Sequence, residues 1–295
     1  MADLKRALEA VAARVEQQLD ALLPTVPSAR GRVVEAMRYS ALGGGKRLRP
    51  FLVVQCARLF DVPEDQALRT AAAVEMVHCY SLIHDDLPAM DDSDLRRGRP
   101  TSHMVFDEAT AILAGDGLLT EAFAVLADPR THADPAVRAE LVAGLAAAAG
   151  AAGMVGGQMI DISPARERLD LAGITALQSL KTGALITFSC EAGAILGAAP
   201  KAARDALGAY AGELGLAFQI ADDLLDAEGT AEELGKPTGQ DSAKGKATFV
   251  DLLGAEGARA RAVALINHAC TRLDLFGEKA DLLRDTAQFV VHRRS

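Results

Sequence analysis

Tryptophan is absent from the 295-residue sequence, and only three tyrosines and nine phenylalanines are present. Aromatic residues make up 4% of the chain, too few for a β-rich fold, where aromatic and β-branched side chains concentrate. Cysteine is equally sparse. Cys56, Cys79, Cys190 and Cys270 stand far apart with no CxxC pair, which argues against a disulfide framework and a cysteine-based zinc site. They read as small core residues of a protein kept in a reducing compartment. Basic residues are outnumbered 31 to 40, a net charge of −9. That argues against the basic footprint of non-specific nucleic-acid binding. It leaves room for an anionic substrate, because a bound divalent cation reverses the local sign. The first residues include Asp3, Lys5, Arg6 and Glu9 and lack the apolar stretch of a signal peptide. The longest apolar region, 183–200, is interrupted by Glu191, which would cost about 2.5–3.5 kcal/mol at a bilayer centre. No membrane span and a cytoplasmic location are therefore expected.

What the sequence does have is alanine and leucine in helical register. Half of the residues are apolar and 24% are charged, a composition suited to a buried core and a solvated surface. Leu4, Leu8, Val11, Val15, Leu19 and Leu22 form one stripe at spacings of three and four. Pro24 and Pro27 end that helix. Ser28 caps an expected second helix over 28–42, which Gly43-Gly44-Gly45 breaks. Pro50 suits the first turn of a third. Further helices are expected over 65–87, 105–126, 134–157, 174–196, 201–226, 256–275 and 278–293. Polar loops are expected at 91–100 and 228–247. No alternating strand pattern of useful length and no internal repeat is visible. The expectation is a single all-α domain over residues 1–295.

Two acidic clusters interrupt these apolar helices. Asp85, Asp86, Asp91 and Asp92 fall within eight residues at a helix C-terminus, where acid opposes the macrodipole. Gln219, Asp222, Asp223 and Asp226 share one helical face with no basic residue within a turn on that face. Carboxylates so placed repel unless cations sit among them. Two such sets suit two or three Mg²⁺ ions whose remaining ligands are phosphate oxygens. The basic groups agree. Lys46, Arg47 and Arg49 follow the three glycines, and Arg96-Arg97 follow the first acidic cluster, where a guanidinium can bind diphosphate bidentately. The glycine-rich segment is not a Walker loop, since no Ser or Thr follows the lysine.

The pairing of DDLPAMD with FQIADDLLD resembles the two aspartate-rich motifs of the trans-polyprenyl diphosphate synthase family. The resemblance extends through GGGKRLRP, DDSDLRRGRPTSH, ILAGDGL, GMVGGQMID, KTGAL and LGKPTGQD, in the same order along nearly the whole chain. It is nearest to the bacterial farnesyl diphosphate synthases, whose first motif carries the same two extra residues. It implies an all-α bundle around a deep central cavity, a homodimer, and up to three Mg²⁺ ions. Asp85, Asp86 and Asp91 would hold metal on one wall, and Asp222 and Asp226 on the other, with Asp223 beside them. Lys46, Arg49, His78 and Arg97 match the isopentenyl diphosphate site. Arg96, Lys181, Thr182, Gln219, Lys236 and Lys246 match groups around the allylic substrate. Lys181, Asp85, Asp222 and Arg96 are the implied catalytic groups, and Tyr80 and Ser81 the implied limit on product length. Ser93 and Val250 depart from the family pattern, where Asp and Pro are common.

The implied reaction condenses isopentenyl diphosphate head-to-tail with dimethylallyl and then geranyl diphosphate, giving farnesyl diphosphate. A geranylgeranyl or geranyl diphosphate synthase is the alternative within the family. A non-catalytic subunit of the same fold would be expected to lose aspartates, and both motifs are intact. A phosphohydrolase built on His84-Asp85 needs further upstream histidines, and only His78 precedes it. A di-iron carboxylate bundle needs a second ExxH beside Glu75-Met76-Val77-His78, and none is present.

Overall fold

In the computed structural model, residues 2–164, 169–228 and 247–292 are described. The chain divides into two compact units, one holding Ala2–Ala143 and Ile195–Gly197, the other Gly144–Ala194 and Ala198–Ser295.

The first unit is built on an amphipathic helix and two buried ones. In α1 (Ala2–Leu22) the expected stripe is buried at Leu4, Val11, Val15 and Leu19. Helix α2 (Gly31–Ala41) ends before Gly44 and Gly45, both at positive φ. Helix α3 (Leu48–Arg58) buries every residue from Pro50 to Ala57. Helix α4 (Glu64–Asp85) is buried on all sides from Ala67 to Val77, as an apolar helix without a polar face must be. It packs against α1, α3 and α6 (Glu108–Ala127).

Between α4 and α6 the structure is more articulated than expected. The loop 91–100 contains a two-stranded antiparallel hairpin, β1 (Leu95–Arg96) and β2 (Arg99–Pro100). Two-residue strands are too short to leave an alternating pattern. Its turn residues Arg97 and Gly98 both take positive φ, 53° and 72°, as a tight hairpin turn requires. The expected helix 105–126 is split into α5 (Ser102–Val105) and α6, because Asp107 caps the latter by accepting from the Thr110 N–H at 2.7 Å.

Helix α7 (Pro135–Ala149) opens at Asp134-Pro135 as expected. The helix expected to reach 157 instead stops at Ala149, and the chain resumes as α8 (Met154–Ile162). In the second unit, α9 (Leu171–Gln178) runs into a π-helical turn, Ser179–Gly183, before α10 (Ala184–Leu196). Helix α11 (Lys201–Glu228) packs along α12 (Phe249–Arg272), and a 3₁₀ segment, Asp274–Ala280, leads into α13 (Asp281–His292). Helix α12 starts seven residues before the expected 256. A Thr248–Asp251 capping box starts it, and a kink at Gly254 had concealed the continuity. Among the described residues the architecture is all-α apart from the hairpin. Ile174, Ile220, Leu224, Phe249, Ala258 and Ala262 form one buried cluster of this unit.

All four cysteines are free, and Cys56, Cys79 and Cys190 are buried. By length and composition, Glu108–Ala127 and Pro135–Ile162 are apolar enough to cross a membrane, where none was expected. The first is a packed helix with Ala111, Ala114, Leu118 and Ala122 buried, and the second is broken between α7 and α8.

Candidate functional site

The first aspartate cluster lies where α4 ends and the chain folds back. The Asp91 N–H donates to the Asp85 carbonyl at 2.8 Å, and the Ser93 N–H to the Asp86 carbonyl at 3.1 Å. Asp91 is thereby returned to Asp85 across Pro88. Asp92, at φ 52°, completes the turn. The Thr101 hydroxyl donates to the Ser93 carbonyl at 2.7 Å and ties the hairpin to this turn.

Asp86 differs from its neighbours. It is 3% exposed and faces Arg96, which donates through Nε at 2.9 and 2.8 Å and through Nη2 at 2.7 Å. Burial disfavours the Arg96 charge, but the hydrogen bonds and charge of Asp86, with Asp85 and Asp91, outweigh it and raise the guanidinium pKa. Arg97, on the positive-φ turn, donates to the Gly44 carbonyl and so meets the glycine-rich loop.

Arg47 in that loop points inward. At φ 48° its guanidinium reaches Glu75 on α4 at 2.6 Å and the Ala41 carbonyl at 2.7 Å, with Arg47 and Glu75 both almost fully buried. The neighbours Lys46 and Arg49 flank this anchor. His78 lies one turn after Glu75. Desolvation first, and then the charges of Arg49, Arg97, Arg96 and Arg47, hold its imidazole well below the ordinary value. It is neutral at pH 7. A cleft in the same unit is lined by Gly43, Cys79, Leu82, Asp86, Arg96 and Arg97.

Tyr80 and Ser81 are on the neighbouring strip of α4. Tyr80 is 6% exposed and packs edge-on against His84, with ring centroids 5.7 Å apart. His84 Nε2 is 3.0 Å from the Ile112 carbonyl of α6. A Cβ at Gly115 would lie 2.2 Å from that Nε2, which explains the glycine in ILAGDGL. The Ser81 hydroxyl is turned back onto the His78 carbonyl at 2.9 Å.

The second cluster lies on the straight helix α11. Asp222 and Asp226 are one turn apart on it. Asp223 is 5% exposed and engages the fold: Oδ1 accepts from Gln219 Nε2 at 3.0 Å and Oδ2 from the Phe249 N–H at 2.9 Å. Thr182 Oγ1 donates to Gln219 Oε1 at 3.3 Å. Lys181 and Thr182 belong to the π-helical turn, a distortion that recurs at functional sites. Lys181 Nζ pairs with the buried Asp161 at 2.6 Å. Gly157 lets α8 approach, since a Cβ there would lie 2.3 Å from the Lys181 backbone nitrogen. Lys236 and Lys246 lie outside the described residues, as does LGKPTGQD.

Carboxylate oxygens alone make up both donor sets, which fits a hard cation such as Mg²⁺. Among the described residues, no group of three or more Asp, Glu, His or Cys closes on a metal by itself. That also fits Mg²⁺, which usually takes one or two carboxylates and completes its shell with water and phosphate. Sequence reasoning counted Arg47 only among the cations of the glycine-rich loop, weighed Glu75 only in a lone ExxH, and assigned no role to Asp161. The available signal was a charge in an otherwise apolar helix, at Glu75 and Asp161.

The sequence profile of the family described as Polyprenyl synthetase matches residues 31–275. The chain is 43% identical to the farnesyl diphosphate synthase of Escherichia coli (strain K12) over 99% of both chains. It is 45% identical to that of Geobacillus stearothermophilus over 83% of this chain and 86% of that one. The crystal structure of an FPP/GFPP synthase from Zymomonas mobilis, in its apo form, superposes with a TM-score of 0.91 at 51% identity, covering 98% of this chain and 100% of that one.

Proposed function

Because the chain belongs to the polyprenyl synthetase family, we propose that it is a prenyltransferase making farnesyl diphosphate from isopentenyl diphosphate with dimethylallyl and geranyl diphosphates. The observation that supports this reading is the 3.3 Å contact of Thr182 with Gln219, which joins the π-helical turn that carries Lys181 to the helix that carries Asp222 and Asp226. An allylic diphosphate needs those groups in that combination. Farnesyl diphosphate synthases at 39–45% identity support the product assigned.

Asp85, Asp91, Asp222 and Asp226 are the proposed Mg²⁺ ligands. Asp86 holds Arg96 in place. Bound Mg²⁺, up to three ions, supplies the charge neutralisation that makes diphosphate a good leaving group. Lys181 and Arg96, with Lys236 and Lys246, bind the allylic diphosphate. Lys46, Arg49 and Arg97 bind the diphosphate of isopentenyl diphosphate, and neutral His78 offers it a hydrogen bond without competing for cations. The allylic C–O bond breaks, leaving a carbocation at C1 and free diphosphate. The Thr182 carbonyl and Gln219 Oε1 face that charge. The π electrons of isopentenyl diphosphate then form the new bond to C1, and a proton leaves its C2. The motifs offer no obvious protein base for that proton, and the departed diphosphate is the proposed acceptor.

Tyr80 is proposed as the floor that stops the growing tail near fifteen carbons, with Ser81 beside it. Exposed Ile112 and Leu113 on α6, and Val155, Met159 and Ile162 on α8, are apolar surface that a homodimer would cover. The free cysteines suit a reducing cytoplasm.

The test is product analysis with both substrates, with and without Mg²⁺. Mg²⁺-dependent farnesyl diphosphate is expected. Geranylgeranyl diphosphate as the main product would overturn the assigned length and keep the chemistry. No condensation at all would overturn the reading. Tyr80→Ala is expected to lengthen the product by one or more isoprene units. An unchanged distribution shows that Tyr80 is not the floor.

A further inference from the structure

Three carboxylates of α11, Asp222, Asp223 and Asp226, are not equivalent. Asp222 and Asp226 are one turn apart on the helix, whereas both oxygens of Asp223 are committed to the protein. One accepts from the N–H of Phe249, the first residue of α12 and one of its orphan donors. The other accepts from the side-chain amide of Gln219, one turn earlier on α11. An ionised carboxylate has acceptors and no donors. The Gln219 amide can therefore turn only its NH₂ toward Asp223. Its oxygen must face the opposite way, toward Thr182, and it does so at 3.3 Å.

The two ends of an amide are opposite in sign. The oxygen steadies a developing cation, and the NH₂ repels one. We propose that Asp223 is a positioning residue that fixes which end of Gln219 faces the allylic cation. The inference rests on the reading of Gln219 as a group facing that cation, and it gives Asp223 a task separate from metal binding. The chain of contacts runs from the α12 N-terminus through Asp223 and Gln219 to Thr182 on the π-helical turn.

Asp223→Asn is the sharp test because it is isosteric. Its single oxygen is required by the Phe249 N–H, so its NH₂ meets Gln219 and demands the Gln219 oxygen. The amide reverses and presents NH₂ to the cation. The single-turnover condensation rate is expected to fall about tenfold to a hundredfold, while the dissociation constants of both diphosphates stay within about threefold. Adding Gln219→Glu to Asp223→Asn supplies a group that accepts on both sides, returns an oxygen to the Thr182 side, and should recover most of the rate. A wild-type rate in Asp223→Asn, or no recovery in the double variant, overturns the proposal. Gln219→Leu separates the two readings. If it leaves the rate unchanged, Gln219 does not face the cation and both fail. If it slows the reaction while Asp223→Asn does not, only the positioning role fails. Nitrogen-15 glutamine labelling of the unmodified, metal-free protein gives a readout independent of turnover and of how Asp223→Asn folds. The Gln219 side-chain NH₂, identified by its loss in Gln219→Leu, should show the downfield shift of a donor to carboxylate. Its absence overturns the proposal.

Discussion

At the end of α4 the backbone turns back on itself and brings Asp91 to Asp85 through a 2.8 Å hydrogen bond. On α11 the backbone runs straight, and helical register alone spaces Asp222 from Asp226. The first arrangement depends on a loop, so it needs guards: Arg96 on Asp86, Thr101 on Ser93, Arg97 on Gly44. The second depends on a helix, and its irregularity is displaced to the π-helical turn that carries Lys181. Each region also buries a carboxylate that holds a cation, Asp86 for Arg96 and Asp161 for Lys181. Similar charges are thus gathered in one case by tertiary restraints and in the other by secondary structure. The loop should be the more sensitive to changes around it, the helix to changes of register within it.

The largest expected effect tests whether the two regions matter equally. Asp85→Ala and Asp222→Ala should each lower kcat by about a thousandfold, the scale of losing a preorganised electrostatic group. Steady-state assays at saturating Mg²⁺ check this, and a large loss in only one variant breaks the equivalence. Arg47→Met comes next and concerns the loop region alone. It leaves Glu75 buried without its partner and should cost about 3–5 kcal/mol of stability by urea denaturation. Replacing Glu75 by Leu as well should restore much of that loss, since an apolar pair tolerates burial where a lone charge does not. If Arg47→Met is as stable as the wild type, the glycine-rich loop is not anchored through Glu75.

The smallest effect is in pH. The His78 imidazole is held below its ordinary value by desolvation and four arginines, so the unfolded chain binds its proton more readily than the folded one. Stability from this site is present above about pH 6.5, the unfolded value, and is lost as the pH falls below it. Thermal unfolding between pH 8 and 5 should show a decline that His78→Gln flattens.

Long helices were legible because their periodicity extends over several turns, as in α1, or because they are apolar throughout, as in α4. The breaks were less so. Gly150 and Gly153 were visible, but nothing marks a helix stop against a tolerated glycine. The hairpin at Leu95–Pro100 rests on two residues at positive φ, one of them an arginine that sequence gives no reason to place there. At the site, Asp85, Asp222 and Gln219 stood out by residue type and spacing, and Lys181 only through the resemblance of KTGAL to the family motif. The separate conduct of Asp86 and Asp223 did not, because adjacent carboxylates on a helix look alike until their partners are known. Those partners, Arg96 and the Phe249 N–H, lie 10 and 26 residues away.

The π-helical turn at Ser179–Gly183 also sets the phase of everything after it. One extra residue in a helical turn rotates the following segment by about 100° relative to an uninterrupted α-helix. Phe188 and Cys190 on α10 are buried in the phase that results. Deleting a single residue within this turn would therefore resemble a rotation of α10 about its axis more than a shortening of it. Lys181 would leave Asp161, and the side chains that α10 buries, Phe188 and Cys190 among them, would be turned away from their present neighbours. The turn acts as a gear between the chemistry on one side and the core on the other.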